Sequence, residues 1–281
     1  MRETSNPILR SLPQQQGGGY AQFGTGIAGA TQVGYQTQPY VSPPQTGVSR
    51  PLTIDDVVTK TGITLGVLSV VAVISYFMVG TNVALAGPFT LIGALGGLAL
   101  VLIASFGRKQ DNPAIVLSYA ALEGLFLGAV SWMFGNMLVQ GISAGALITQ
   151  AVLGTVGVFF GMLVVYKTGA IRVTPKFTRM MVASMVGVLV LMLGSFVIGL
   201  FSHNPGGPLR DGGTLSIIFS LVVIGIAAFS FLLDFDSADQ MIRAGAPEKA
   251  AWGVALGLTV TLVWLYLEIL RLLSYFYSSD R

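Results

Sequence analysis

The stretch MMVASMVGVLVLMLGSFVIGLF, Met180 to Phe201, decides the fold: it runs for 22 residues without a charge. About 20 predominantly apolar residues in helical form cross the hydrocarbon core of a bilayer. Working outward, six further apolar stretches of similar length flank it, at Thr61–Gly80, Pro88–Phe106, Pro113–Trp132, Leu147–Tyr166, Leu215–Leu233 and Trp252–Tyr275. None alternates apolar and polar residues with a period of two, which argues against a transmembrane β-barrel. The expected fold is an all-α membrane protein, a bundle of seven transmembrane helices. Short connections make consecutive helices antiparallel neighbours.

Composition agrees. Of 281 residues, 53% are hydrophobic and 10% charged, against about 25% charged in soluble domains. The mean hydropathy is +0.75. There is no cysteine, which excludes disulfides, thiolate metal sites and cysteine nucleophiles. The single histidine, His203, excludes a His-rich metal site and lies in an Asn-Pro-Gly-Gly loop without a Ser–Asp constellation. Neither an H-E-x-x-H helix nor a phosphate-cradling G-x-x-x-x-G-K-[ST] loop is present, so enzymatic chemistry is not expected. Trp252–Tyr275 contains no lysine for a Schiff base, and no twofold repeat of the kind many transporters show is visible.

Residues 1–52 differ from the rest. Gln14–Gln16, Gly17–Gly19 and the pair Pro43 and Pro44 show no helical or strand period, and no apolar face offsets the entropy of ordering. They read as a disordered tail ahead of a helical domain spanning 53–281. Thr53, followed by Asp55 and Asp56, is placed to cap a short interfacial helix that ends near Lys60 and leads into the first span.

Twelve of the 15 basic residues fall on one side of the bundle, in the tail and at Lys60, Arg108 and Lys109, Lys167–Arg179, Arg243 and Lys249. By the positive-inside rule that side is cytoplasmic, which puts the N-terminus inside and the C-terminus outside the cell membrane. The same rule accounts for the basic pI without a nucleic-acid partner. Four G-x-x-x-G pairs, Gly62/Gly66, Gly124/Gly128, Gly157/Gly161 and Gly253/Gly257, suit close helix packing within the bundle rather than dimerisation.

Four acids interrupt the apolar stretches: Glu123 in the middle of the third, Asp234 and Asp236 at the end of the sixth, and Glu268 inside the seventh. They face a single basic residue, Arg271. An ionisable group at mid-bilayer costs at least about 2.5–3.5 kcal/mol on insertion scales, so each is a functional candidate. The carboxyls either stay neutral and hydrogen-bonded, or ionise in a wet cavity where oxygen ligands suit Ca²⁺. Two carboxyls sharing one proton titrate as a pair, which would make such a site pH-sensitive. Structural roles compete with these: Glu268 and Arg271, three residues apart, can pair along their helix, and Asp236 stands near the boundary, where a solvated carboxylate is cheap.

The Leu-Glu-Gly-Leu-Phe-Leu-Gly run around Glu123, the Leu-Asp-Phe-Asp run ending at Asp236 and the segment from Val263 to Leu273 together resemble the Bax inhibitor-1 family, in its bacterial branch, over Pro51 to Tyr275. That resemblance implies six helices around a central seventh. It also implies a pH-sensitive calcium leak with acids of helices six and seven as sensor, or modulation of a membrane-bound protease. Carried over, Asp234 matches the helix-six acid with Asp236 the alternative, Glu268 falls near the helix-seven acid, Arg108 stands for their basic partner, and Asp234 and Glu268 become the candidate Ca²⁺ ligands. Spacing opposes a direct pair. About Pro247, Asp234 lies 13 residues before and Glu268 21 after, a mismatch near 12 Å at about 1.5 Å per residue. Pairing would require an irregular stretch within 236–246.

Overall fold

The computed structural model describes residues 50–139, 142–202, 207 and 209–279. The tail read as disordered and the loop holding His203 lie outside the described residues. Seven helices follow one another: α1 (Ile54–Thr81), α2 (Ala86–Phe106), α3 (Pro113–Met133), α4 (Ala144–Thr168), α5 (Pro175–Ser202), α6 (Thr214–Arg243) and α7 (Ala250–Ser279). All seven are long and apolar enough to cross a membrane, so the chain is a seven-helix membrane-spanning bundle.

Helix boundaries follow from local chemistry. Thr53 and Asp56 form a reciprocal capping box at the start of α1, satisfying backbone donors that a helix N-terminus leaves free. No break follows Lys60: the expected lead-in helix and the first span are one 28-residue helix, since no proline interrupts it and packing of its buried face outweighs the weak helix propensity of Gly62 and its β-branched neighbours. Asn112 caps α3, with Pro113 in its first turn, where a missing N–H costs nothing. A π-helical turn, Phe134–Leu138, extends α3. Gly169, at φ 67°, closes α4 in the left-handed region, which a residue without Cβ enters freely. α6 continues regularly to Arg243, ten residues past the expected end. The irregular stretch that a carboxyl pair would have required is absent.

The most buried helix is α7, at 61% of its central segment against 44% at most in the others. It packs broadly on α1, α3, α4 and α6, while α2 lies on α3 and α5 on α6. The outer two reach α7 mainly through side chains. Ala104, Val116, Tyr119 and Leu256 cluster for α2, and Val188, Phe219, Val223 and Trp264 for α5. Outward-facing apolar residues such as Leu95, Phe160 and Val190 are more than half exposed, as a lipid-facing belt requires.

The glycine pairs divide. A Cβ at Gly124 would come within 2.6 Å of the Leu68 carbonyl, and one at Gly128 would collide with the Ala72 carbonyl, so this pair sets the close approach of α1 and α3. Gly93, one turn before Gly97, does the same for α2, where a Cβ would stand 2.6 Å from the Leu122 carbonyl. Gly253 makes room for Gln110, whereas a Cβ at Gly257 would only touch Asp234 at 3.8 Å. By contrast Gly62/Gly66 and Gly157/Gly161 have nothing within 4 Å of a Cβ and serve no packing within the bundle.

On the basic side the chain enters α1 through a strap. Leu52 N–H donates to the Ala246 carbonyl at 2.8 Å and Glu248 N–H to the Arg50 carbonyl at 2.9 Å, joining this segment to the α6–α7 turn. Leu52 itself is buried in the core. Arg50 bridges Asp56 at 2.6 Å and Glu248 at 3.7 Å, while Lys60 donates to the Glu248 carbonyl at 2.9 Å and covers the Trp252 ring at 5.8 Å.

Candidate functional site

Helix rise places the four intramembrane acids. Glu123 is ten residues into α3, Asp234 nine residues before the end of α6 and Thr261 eleven into α7. At about 1.5 Å per residue all three lie about 14–17 Å from the basic-side helix ends. Glu268, a further seven residues along α7, lies about 10 Å beyond that level. Two depths are therefore occupied by different partners.

At the first depth, Asp234 accepts the Thr261 hydroxyl at 2.7 Å beside Gly257. Thr261 follows Pro247 by 14 residues as Asp234 precedes it by 13, so the two-helix spacing that excludes Glu268 selects Thr261. Glu123 faces the neighbouring flank. Its Oε1 would lie 2.7 Å from a Cβ on Gly97 of α2, the Tyr119 hydroxyl one turn back is its polar neighbour, and its buried Oε2 has no hydrogen-bond partner. Neither carboxyl forms an ion pair among the described residues.

At the second depth, Glu268 is 1% exposed and held by two cations. Arg210, in the α5–α6 connection, donates from Nη2 to Oε1 at 2.9 Å and from Nη1 to Oε2 at 3.3 Å, a fork on both oxygens. Arg271 adds a bond at 2.9 Å to Oε1, the pairing along the helix that its spacing allows. The Arg210 guanidinium also lies over the Phe219 ring, 5.6 Å from its centroid. Arg210 and Arg271 line a cavity of about 550 Å³ with Asp211, Ser274 and Tyr275 on the side opposite the strap. Ahead of α6, Asp211 accepts from the Gly213 N–H at 2.9 Å and the Ser216 hydroxyl at 2.7 Å; the Ser216 bond foremost, then the Gly213 bond, holds its carboxyl below the usual range.

The expected set is thus divided. The structure does not bring Asp234 and Glu268 together, since seven residues of α7 separate the partner of one from the other, and a Ca²⁺ site made of both is not formed here. Among the described residues no three acidic or histidine side chains cluster to hold a metal ion. Asp236 accepts from Gln240 at 2.6 Å, a local bond one turn along its helix. Arg108, exposed in the α2–α3 turn at φ 51°, makes no ion pair among the described residues and does not serve Asp234. Sequence reading passed over Arg210, Thr261, Gly97 and Tyr119. Arg210 carried a signal, as one of three cations off the basic side; Thr261 carried another in its spacing from Pro247.

The profile of the family described as Bax inhibitor 1 like matches residues 6–278, and the chain belongs to that family. The match begins within the tail, ahead of the segment that carries the resembling motifs. An uncharacterized protein of Chlamydia muridarum (strain MoPn / Nigg) is 29% identical over 102 residues, covering 35% of this chain and 40% of that protein. The proteins of this family are non-catalytic, regulatory or channel-like.

Proposed function

We propose that this multi-pass member of the Bax inhibitor-1 family is a passive cation pathway, with Ca²⁺ as the permeant ion, that runs along α7 and is closed in the conformation described. One observation carries the reading: Glu123 and Asp234 sit at one depth within lipid-spanning helices, with no cation paired to either among the described residues. Carboxyls so placed cost folding energy and make sense where a cation passes. Hard oxygen donors match Ca²⁺. Protonation would remove their charge, which gives the pathway its pH dependence. Farther along, the Arg210–Glu268–Arg271 cluster occupies the route, and its two guanidiniums outweigh the Glu268 carboxylate.

Reconstituted in vesicles loaded with a Ca²⁺ indicator, the protein is expected to leak Ca²⁺ in a pH-dependent manner. Asp234→Asn and Glu123→Gln are each expected to cut that leak several-fold, and Arg210→Gln to raise it. Unchanged leak in both acid variants would remove the pathway.

A second reading, a regulator of a membrane-bound protease or another membrane partner, is favoured by the strap. The tail joins the α6–α7 turn through Arg50 and Leu52, so a partner holding the tail would act on α7 directly. Removal of residues 1–48 is then expected to abolish function while the acid variants retain it.

A further inference from the structure

A groove of about 540 Å³ opens sideways between α1 and α4, and none of the four acids lines it. Its floor is α3 and α7, through Leu127, Gly128 and Leu262, and its lips are Val73 and Phe77 of α1 with Val152 and Val156 of α4. All four lip residues are exposed and belong to helices that span the membrane, so the groove is continuous with the lipid-facing belt. Its volume lies within the range of pockets that enclose small ligands.

We infer that this groove is a binding site for one acyl chain of a membrane lipid, held without regard to the headgroup. Polar groups on the floor are already spent on one another: the Ser131 and Tyr266 hydroxyls share a bond at 2.7 Å, and Thr155 donates to the Ala151 carbonyl at 2.8 Å. Ser69, Tyr76 and Thr149 add hydroxyls to the lining, Tyr76 already accepting from Asn136, and the remainder is apolar, so an alkyl chain fills the groove at little polar cost. The groove runs along α1 from Leu65 to Phe77 and along α4 from Gly145 to Val156, toward the side opposite the basic turns. Of the three connections at that end, 82–87 and 138–146, which follow α1 and precede α4, carry no charge, and Arg210 in the third is engaged by Glu268. No ion pair is on offer to select an anionic headgroup.

Gly145 lines the groove, and nothing lies within 4 Å of a Cβ built on it; the same is true of Gly157, farther along α4 and outside the groove. A side chain can therefore leave the backbone at either position without a clash at its Cβ, and one at Gly145 projects from the groove lining. The test uses the full chain in vesicles of phosphatidylcholine with a photoreactive acyl chain, reading crosslinked peptides by mass spectrometry. Crosslinks are expected to concentrate several-fold on Leu68, Ala72 and Ile148 over the belt residues Leu189 and Val190 of α5. Gly145→Trp is expected to erase that excess and Gly157→Trp to keep it, and phosphatidylglycerol carrying the same chain to label equally. Even labelling around the belt, an excess that survives Gly145→Trp, preference for one headgroup, or occupation of the groove by a second polypeptide would each overturn the assignment.

Discussion

Glu268 shows what a buried charge demands. Taking a carboxylate out of water costs several kcal/mol even after relaxation, and here two guanidiniums offset that cost. Removing the anion strands both of them, whereas removing one cation leaves the other in place. Glu268→Gln is therefore expected to destabilise by about 3 kcal/mol and Arg210→Gln by clearly less, as read by thermal unfolding in detergent. A double variant that costs far less than the sum of the two would establish the coupling. Close packing carries its own cost at single residues. Gly128→Ala drives a methyl into the Ala72 carbonyl and is expected to lose about 1–3 kcal/mol, while Gly157→Ala, with open space around it, is expected to be neutral or stabilising. Asp211 supplies the pH dependence outside the membrane. Its carboxyl is held low by Ser216 and Gly213, so the bonds that order the start of α6 are present above the ordinary carboxylate range and are lost as pH falls through the lowered value. Proteolysis near Gly212 is expected to rise at that acidic step, the step to move upward in Ser216→Ala, and to vanish in Asp211→Asn.

Among the elements, register decides more than composition. The seven apolar stretches were legible because a bilayer demands about 20 apolar residues per crossing, and that constraint leaves few alternatives. Helix ends were less so: α6 passes Leu233 by ten residues, since Phe235 and Ala238 still pack in the core while Asp236 and Asp239 are satisfied by Gln240 and Arg243. A hydropathy window stops at the first pair of acids, whereas a helix stops where packing and backbone bonds do. The acids themselves were legible as anomalies, but their partners were not, because a hydroxyl or a missing Cβ leaves no mark in composition. Spacing about Pro247 did hold the answer for Asp234. The chain lacks cysteine, so the register can be tested cleanly. Asp234→Cys combined with Thr261→Cys is expected to form a disulfide under mild oxidation, since the two side chains meet at 2.7 Å. Asp234→Cys with Glu268→Cys is expected to stay reduced.

For the whole molecule, charge on the turns and the placement of the two sites follow one axis. The strap, Arg108 and Lys109, the α4–α5 turn and the α6–α7 turn gather at one end of the bundle, and the connections 82–87 and 138–146 at the other carry no charge. Lysine and arginine near span ends resist translocation, so the basic end should remain in the cytoplasm, with the tail inside and the end of α7 outside. The Arg210–Glu268 cluster and the uncharged mouth of the lateral groove would then both face the outer leaflet, and Asp234 and Glu123 the inner one. Single cysteines in this cysteine-free chain decide the matter. Lys109→Cys is expected to react with a membrane-impermeant maleimide only after the cells are opened, and Asn82→Cys to react in intact cells. The reverse pattern would invert the axis, placing the arginine-capped acid on the cytoplasmic side and reversing the direction in which any ion meets the two carboxyl levels.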